Sequence, residues 1–225
     1  MGQVSKMANY AEMTLDELRL ALAPELASSA IFDGWSATAL ENAAEMAGAD
    51  LDVVRLAYPK GAMDMIDAWV ECVDEKMESS FSLEDMNTMP IRERIRTLVQ
   101  FRLDTILGLE EAVRRALSVM AQPQNVGHAL KIGWRSADKM WRLAGDVATD
   151  YNHYTKRAIL ASIYSATLSV YVADESENKK ATKEFLDRRI QGVMKFEKIK
   201  AKFTSSEGEM FSVTRFLGRL RYPSN

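Results

Sequence analysis

The stretch Tyr154-Thr-Lys-Arg-Ala-Ile-Leu-Ala-Ser-Ile-Tyr-Ser-Ala-Thr-Leu-Ser-Val-Tyr-Val172 carries no charge after Arg157. Ile159, Leu160, Ile163, Tyr164, Leu168 and Val170 spread over several faces of a helix rather than along one stripe. A helix that is apolar on several sides must be covered on several sides, which puts this one at the centre of a helical bundle. Its neighbours follow the same period. Val126 to Leu143 reads as a helix, Asp174 to Lys180 as a polar loop, and Thr182 to about Lys202 as a further amphipathic helix.

Working outward to the N-terminus, Thr14-Leu-Asp-Glu17 is a capping box, followed by Leu15, Leu18, Leu22, Leu26 and Ile31 at near-helical spacing. Pro24 is expected to kink this helix or to begin a second segment. Asp33-Gly34 breaks it, Ser36 caps a short helix through Ala47, and Gly48 is its left-handed stop. A short helix is expected from Leu51 to Ala57, ended by Pro59-Lys60-Gly61. Met63, Ile66, Trp69, Val70, Val73 and Met77 make the stripe of the next helix, and Ser79 to Met89 reads as a loop. Pro90 opens a helix that carries Ile91, Ile95, Leu98, Val99, Leu103, Ile106 and Leu107 on one face. Glu110 to Ala121 is helical, and Gln122-Pro123-Gln124 interrupts. With no alternating strand pattern and no repeat, the fold class is all-α.

The chain has 225 residues, 47% hydrophobic, with a net charge of −3. That is enough apolar content for a proper core, and it excludes disorder over most of the length. No apolar run approaches the roughly 20 residues that span a bilayer. The first residues show no secretory or transit signal. These features point to a cytoplasmic protein.

Cys72 is the single cysteine, so neither an intramolecular disulfide nor a cysteine-built zinc site is available. It falls among core positions and reads as a buried structural thiol. A carboxylate-bridged di-iron bundle needs two acidic-x-x-His pairs, whereas only Asp150-x-x-His153 has that spacing and His128 follows Asn125. No glycine-rich phosphate loop or nucleophile elbow occurs. The sequence therefore predicts no catalytic residue, no metal and no cofactor, and a protein that is not an enzyme.

Residues 14–70 nonetheless form an organised pattern. Thr38-Ala-Leu-Glu-Asn-Ala-Ala-Glu-Met-Ala-Gly-Ala49, the short helix after it and Tyr58-Pro-Lys-Gly61 resemble the helix-turn-helix of TetR-type regulators, with Ala43, Ala44 and Gly48 as the small residues of the close packing. The recognition helix would begin Ala49-Asp-Leu-Asp-Val-Val-Arg55, setting two carboxylates against phosphates. DNA affinity rests mainly on Lys and Arg, so the shape is expected without nucleic-acid binding. A TetR-type regulator sensing a hydrophobic ligand is the alternative function.

The second half carries a longer resemblance. Trp134-Arg-Ser-Ala-Asp-Lys-Met-Trp-Arg-Leu-Ala-Gly-Asp-Val-Ala-Thr-Asp-Tyr-Asn-His-Tyr-Thr-Lys-Arg157 and Phe185-Leu-Asp-Arg-Arg-Ile190 resemble the Coq-nine family of ubiquinone biosynthesis. The resemblance implies a TetR-like all-helical homodimer with a lipid cavity, an accessory role, and a di-iron demethoxyubiquinone hydroxylase as partner. An isoprenoid quinone intermediate or a phospholipid would be the ligand, with Trp134, Trp141, Ile163, Tyr164, Leu168 and Phe185 as lipid-binding residues. Asp150, Asn152, His153, Tyr154 and Arg157 would bind the partner. His153 departs from the family, whose mitochondrial members carry Trp there.

From Met210 to Leu220, apolar residues recur at spacings of three and four: Met210, Phe211, Val213, Phe216, Leu217 and Leu220. Lys198, Lys200, Lys202, Arg215, Arg219 and Arg221 lie nearby. Large apolar residues flanked by basic ones suit a helix lying in a membrane interface, so peripheral attachment to the inner membrane is expected. The expected organisation is a flexible terminus over 1–13, a helix-turn-helix-like domain over 14–80, a ligand-binding and dimerisation domain over 81–202 and a membrane-binding helix over 203–225.

Overall fold

The computed structural model describes residues 10–147 and 151–206. Within them every regular element is helical: α1 Leu15–Asp33, α2 Ala37–Ala47, α3 Leu51–Ala57, α4 Ala62–Ser80, α5 Leu83–Asn87, α6 Ile91–Thr105, α7 Glu110–Met120, α8 Val126–Leu143, α9 Tyr151–Tyr171 and α10 Lys180–Ser206. Among the described residues, those up to Leu186 make one compact unit and those from Asp187 onward belong to a second. The helices on both sides of residue 80 pack into that first unit, α1 against α4 and α7, and α4 against α6 and α8.

The capping box is present. The Glu17 N–H donates to Thr14 Oγ1 at 3.3 Å, and the Thr14 N–H donates to Glu17 Oε2 at 2.9 Å. Of the two expectations for Pro24, a second segment does not form, because α1 runs unbroken from Leu15 to Asp33. Pro24 is exposed, whereas Leu22, Ala23, Leu26, Ala27 and Ala30 are fully buried. The packing of that face against α2, α3 and α4 outweighs the local cost of the proline. Gly34 ends α1 at φ 68°, and Gly48 ends α2 at φ 67° and ψ 27°, a left-handed conformation suited to glycine.

The loop expected over Ser79–Met89 contains the short helix α5. Ser82 Oγ accepts the Asp85 N–H at 3.1 Å, and the Met86 side chain is fully buried. Arg94 ties this segment down by donating to Met89 O, Asn87 Oδ1 and Ala144 O. The loop after α9 is also organised, around the buried Asp174. Its carboxylate accepts the N–H and hydroxyl of Ser176 and of Thr182, at 2.5 to 2.9 Å. Burial pushes the Asp174 carboxyl up, but these four donors outweigh it and hold the group well below the usual carboxylate range. Cys72 is half-buried on α4 rather than buried.

Trp35, in the turn between α1 and α2, donates its indole N–H to Ala112 O at 3.0 Å and packs against Trp69 of α4, ring centroids 5.3 Å apart. This contact joins the N-terminal helices to the part of α4 that faces the bundle interior.

Candidate functional site

An apolar cavity of about 90 Å³ lies between α4, α6, α7, α8 and α9. From α4 it is bounded by Ile66, Trp69, Val70 and Val73, and from α7 by Val113, Ala116, Leu117 and Met120. Ala129, Ile132, Gly133 and Ser136 contribute from α8, and Tyr164, Ser165 and Leu168 from α9. Two features of the sequence keep this space open. Ala116, Ala129 and Gly133 are small where helices face one another, and a side-chain carbon placed at Gly133 would meet nothing within 4 Å. Glycine inside a helix costs roughly 1 kcal/mol relative to alanine, and here its return is room.

One end of the cavity is polar. Arg102, on α6, is 1% exposed and forms part of the wall. It pairs with the fully buried Asp74 of α4 and donates from Nη2 to Ser136 Oγ at 3.3 Å. Ser136 in turn donates to Asp74 Oδ2 at 3.0 Å. The Tyr164 ring lies 4.9 Å from the guanidinium carbon. Burial disfavours the charge on Arg102, but Tyr164 and Asp74 outweigh burial and raise its pKa above the ordinary value. Nothing at the sequence level singled out Arg102 or Asp74. The only signal was a lone Arg and a lone Asp on the apolar stripes of their helices.

A second site lies where α8 meets α9. Trp134 packs against His153 and Tyr154, with centroids 6.4 and 6.0 Å away, and Tyr154 is 61% exposed. The buried Arg157 donates to Asp138 Oδ1 at 2.5 Å and to Asp146 Oδ2 at 3.0 Å. Lys156 also reaches Asp146, at 2.7 Å, and lies 5.4 Å from the Trp141 ring. Burial raises the Asp146 carboxyl, but Lys156 and Arg157 bring it below its ordinary value. Trp141 donates its indole N–H to Lys156 O at 3.0 Å.

The predicted lipid residues therefore separate. Tyr164 and Leu168 line the cavity, and Ile163 is buried next to them in sequence. Trp134 and Trp141 stand at the α8–α9 junction, and Phe185 is half-buried on α10, all three outside the cavity wall. Of the predicted partner residues, His153, Tyr154 and Arg157 lie together at that junction, and Asn152 is in α9. Asp150 and the predicted membrane residues Met210, Phe211, Val213, Phe216, Leu217 and Leu220 lie outside the described residues.

On α3, Asp50 accepts the N–H groups of Asp52 and Val53. Arg55 is held by Glu41 at 2.8 Å and by Asp52 at 3.4 Å. The basic residue of the recognition helix is thus already matched by carboxylates. Among the described residues no cluster of three or more His, Cys, Asp or Glu side chains could hold a metal ion, and no helix is long and apolar enough to cross a membrane.

The fold is similar to the crystal structure of the TetR transcriptional regulator from Nitrosomonas europaea ATCC 19718, with a TM-score of 0.62 and 23% identity over 78% of this chain and 97% of that one. Residues 126–197, which take in α8, α9 and the first part of α10, match the COQ9 family. The ubiquinone biosynthesis protein COQ9, mitochondrial, of Rattus norvegicus is 31% identical over 167 residues, 72% of this chain and 54% of the relative. The protein of the same name in Homo sapiens is 30% identical over 72% of this chain and 52% of its own length. That of Schizosaccharomyces pombe is 28% identical over 60% of this chain and 53% of its own. The chain thus spans about half the length of the curated relatives it matches. With its TetR-like all-α fold and these aligned residues, the chain belongs to the COQ9 family.

Proposed function

We propose that this protein is a non-enzymatic accessory factor of ubiquinone biosynthesis that takes up an isoprenoid quinone intermediate from a membrane surface and presents it to a partner hydroxylase. The observation that carries this reading is the cavity. It is apolar almost throughout, its α8 and α9 walls fall within the family match, and Gly133 leaves it open at a cost to helix stability. The relatives named for ubiquinone biosynthesis supply the pathway. Isoprenoids are nearly insoluble, so moving one between a bilayer and an active site requires apolar surface in transit. At about 90 Å³ the cavity is smaller than most ligand pockets, so the proposed uptake of a chain requires α7, α8 and α9 to part.

The partner would be a di-iron demethoxyubiquinone hydroxylase. Its docking surface would be the Trp134, His153 and Tyr154 cluster, where an exposed aromatic stands beside charged groups already paired. The basic, apolar segment around Met210–Leu220 would hold the chain on the membrane, as one subunit of a homodimer. The matched charges on α3 argue against operator binding.

The test is organic extraction of the purified full-length chain followed by mass spectrometry, beside Gly133→Leu. The reading expects a co-purifying isoprenoid near one per chain in the natural protein and little in the variant. An empty natural protein that also takes up no added isoprenoid overturns it.

A further inference from the structure

The wall of the cavity is mostly apolar, Arg102 is its one charged residue, and that residue is incompletely satisfied. Arg102 Nη1 donates to Asp74 and Nη2 to Ser136. Its Nε makes no hydrogen bond to any described residue, although that atom is out of contact with solvent. A buried guanidinium N–H is a strong donor, and leaving it unmet is costly. The residues around it restrict what could meet it. Asp74 is 0% exposed and already neutralises the guanidinium. An anionic group brought to this place would add a second negative charge beside Asp74 in a medium of low dielectric, with Arg102 committed to Asp74 and Arg135, 3.7 Å from Asp74, committed to Asp67. A neutral oxygen acceptor adds no charge. The flat Tyr164 ring on the same wall suits a flat head.

We propose that the Arg102 end of the cavity is a head-group subsite, which, once its wall opens to admit a ligand, accepts the neutral carbonyl oxygen of an isoprenoid-bearing ring at Arg102 Nε and disfavours anionic lipid heads. This rests on the reading of the cavity as an isoprenoid site and goes beyond it in naming the head that is selected and the direction in which the ligand lies. Arg102 and Ser136 are almost fully buried, whereas Met120, Ala129 and Leu168 are half-buried and Ser165 is exposed. The ring therefore sits inward and the isoprenoid tail runs toward the more open part of the wall. Seated in this way, the ring is kept from water until the partner docks.

The test compares three ligands that share one tail: geranyl-benzoquinone, geranylbenzene and geranyl phosphate. Each is titrated into the full chain by calorimetry. The natural protein should bind the quinone about tenfold more tightly than geranylbenzene, the value of one charge-assisted hydrogen bond to a buried donor, and the phosphate more weakly than the quinone. Arg102→Met combined with Asp74→Leu removes both charges without stranding either. In that variant the tenfold preference should vanish while affinity for geranylbenzene is retained. Arg102→Lys, which keeps a charge for Asp74 but lacks Nε, should lose the preference as well. Infrared spectra of the bound quinone should show a lowered carbonyl stretch in the natural protein alone. A preference that survives in both variants, or phosphate binding as tight as quinone binding, overturns the subsite. Equal binding of quinone and geranylbenzene by the natural protein also overturns it but leaves the isoprenoid cavity standing. Binding of none of the three overturns both.

Discussion

The N-terminal helices and the bundle interior use the same small residues to opposite ends. In α1 and α2, Ala23, Ala27, Ala30, Ala39, Ala43 and Ala44 are all at most 1% exposed, and the helices close on one another. In α7 and α8, Ala116, Ala129 and Gly133 border open space. Small residues allow close approach only where a neighbouring helix is free to move in. Around the cavity, the bulk of Trp69 on α4 and the buried Arg102–Asp74 pair between α6 and α4 hold the frame apart. A short side chain thus means contact in one region and vacancy in the other, and its neighbours decide which.

The comparison breaks most severely at the ion pair. Arg102→Leu alone leaves the fully buried Asp74 with only Arg135, 3.7 Å away, as countercharge and should cost about 3 kcal/mol in urea unfolding, whereas Arg102→Met with Asp74→Leu should recover most of that. Next come matched enlargements. Ala27→Leu in the closed region should cost about 1–3 kcal/mol through overpacking. Ala129→Leu on the cavity wall should cost less than about 1 kcal/mol, since space is available. Equal costs would erase the distinction drawn between the two regions.

A smaller effect tests a polar closure outside both. The folded-state pKa of Asp174 is lowered, so its contribution is present above the unfolded value near 4 and is lost as pH falls through that value toward the folded one. Asp174→Asn should melt about 2–4 °C below the natural protein at pH 7, as for the loss of a helix cap worth about 1 kcal/mol. The gap should narrow as pH falls below about 4. The smallest change is Gly133→Ala, which should stabilise the fold by about 0.5–1 kcal/mol because the added methyl meets open space. The same methyl should weaken isoprenoid uptake.

Helix starts and stops could be read closely from sequence where a chemical signal marks them: the Thr14–Glu17 box, Ser36 with Gly48, and Pro59-Lys60-Gly61. Pro24 begins no second segment because burial of the opposite face of α1 carries the helix through it, and burial is a tertiary fact. The five-residue α5 carries a local cap signal at Ser82, but it is too short to show a helical stripe, and Arg94 ties it to Ala144 only in the fold. For the site, Tyr164 and Leu168 were legible from the apolar helix around them. Trp134 and Trp141 have the bulk expected of cavity residues, yet they face the α8–α9 junction. Which face a half-buried tryptophan takes depends on helix crossings that no local spacing encodes. Arg102 was invisible for the same reason, since its meaning comes from Asp74, 28 positions away.

The Trp35–Trp69 contact gives the molecule an optical reporter. Two indoles 5.3 Å apart and inclined by 38° couple their transitions and produce a signed pair of bands in circular dichroism. Trp35 is fixed by its bond to Ala112, while Trp69 also forms cavity wall. A ligand that shifts Trp69 alters the angle between the two rings, so occupancy of the cavity can be followed in the unlabelled protein by light alone.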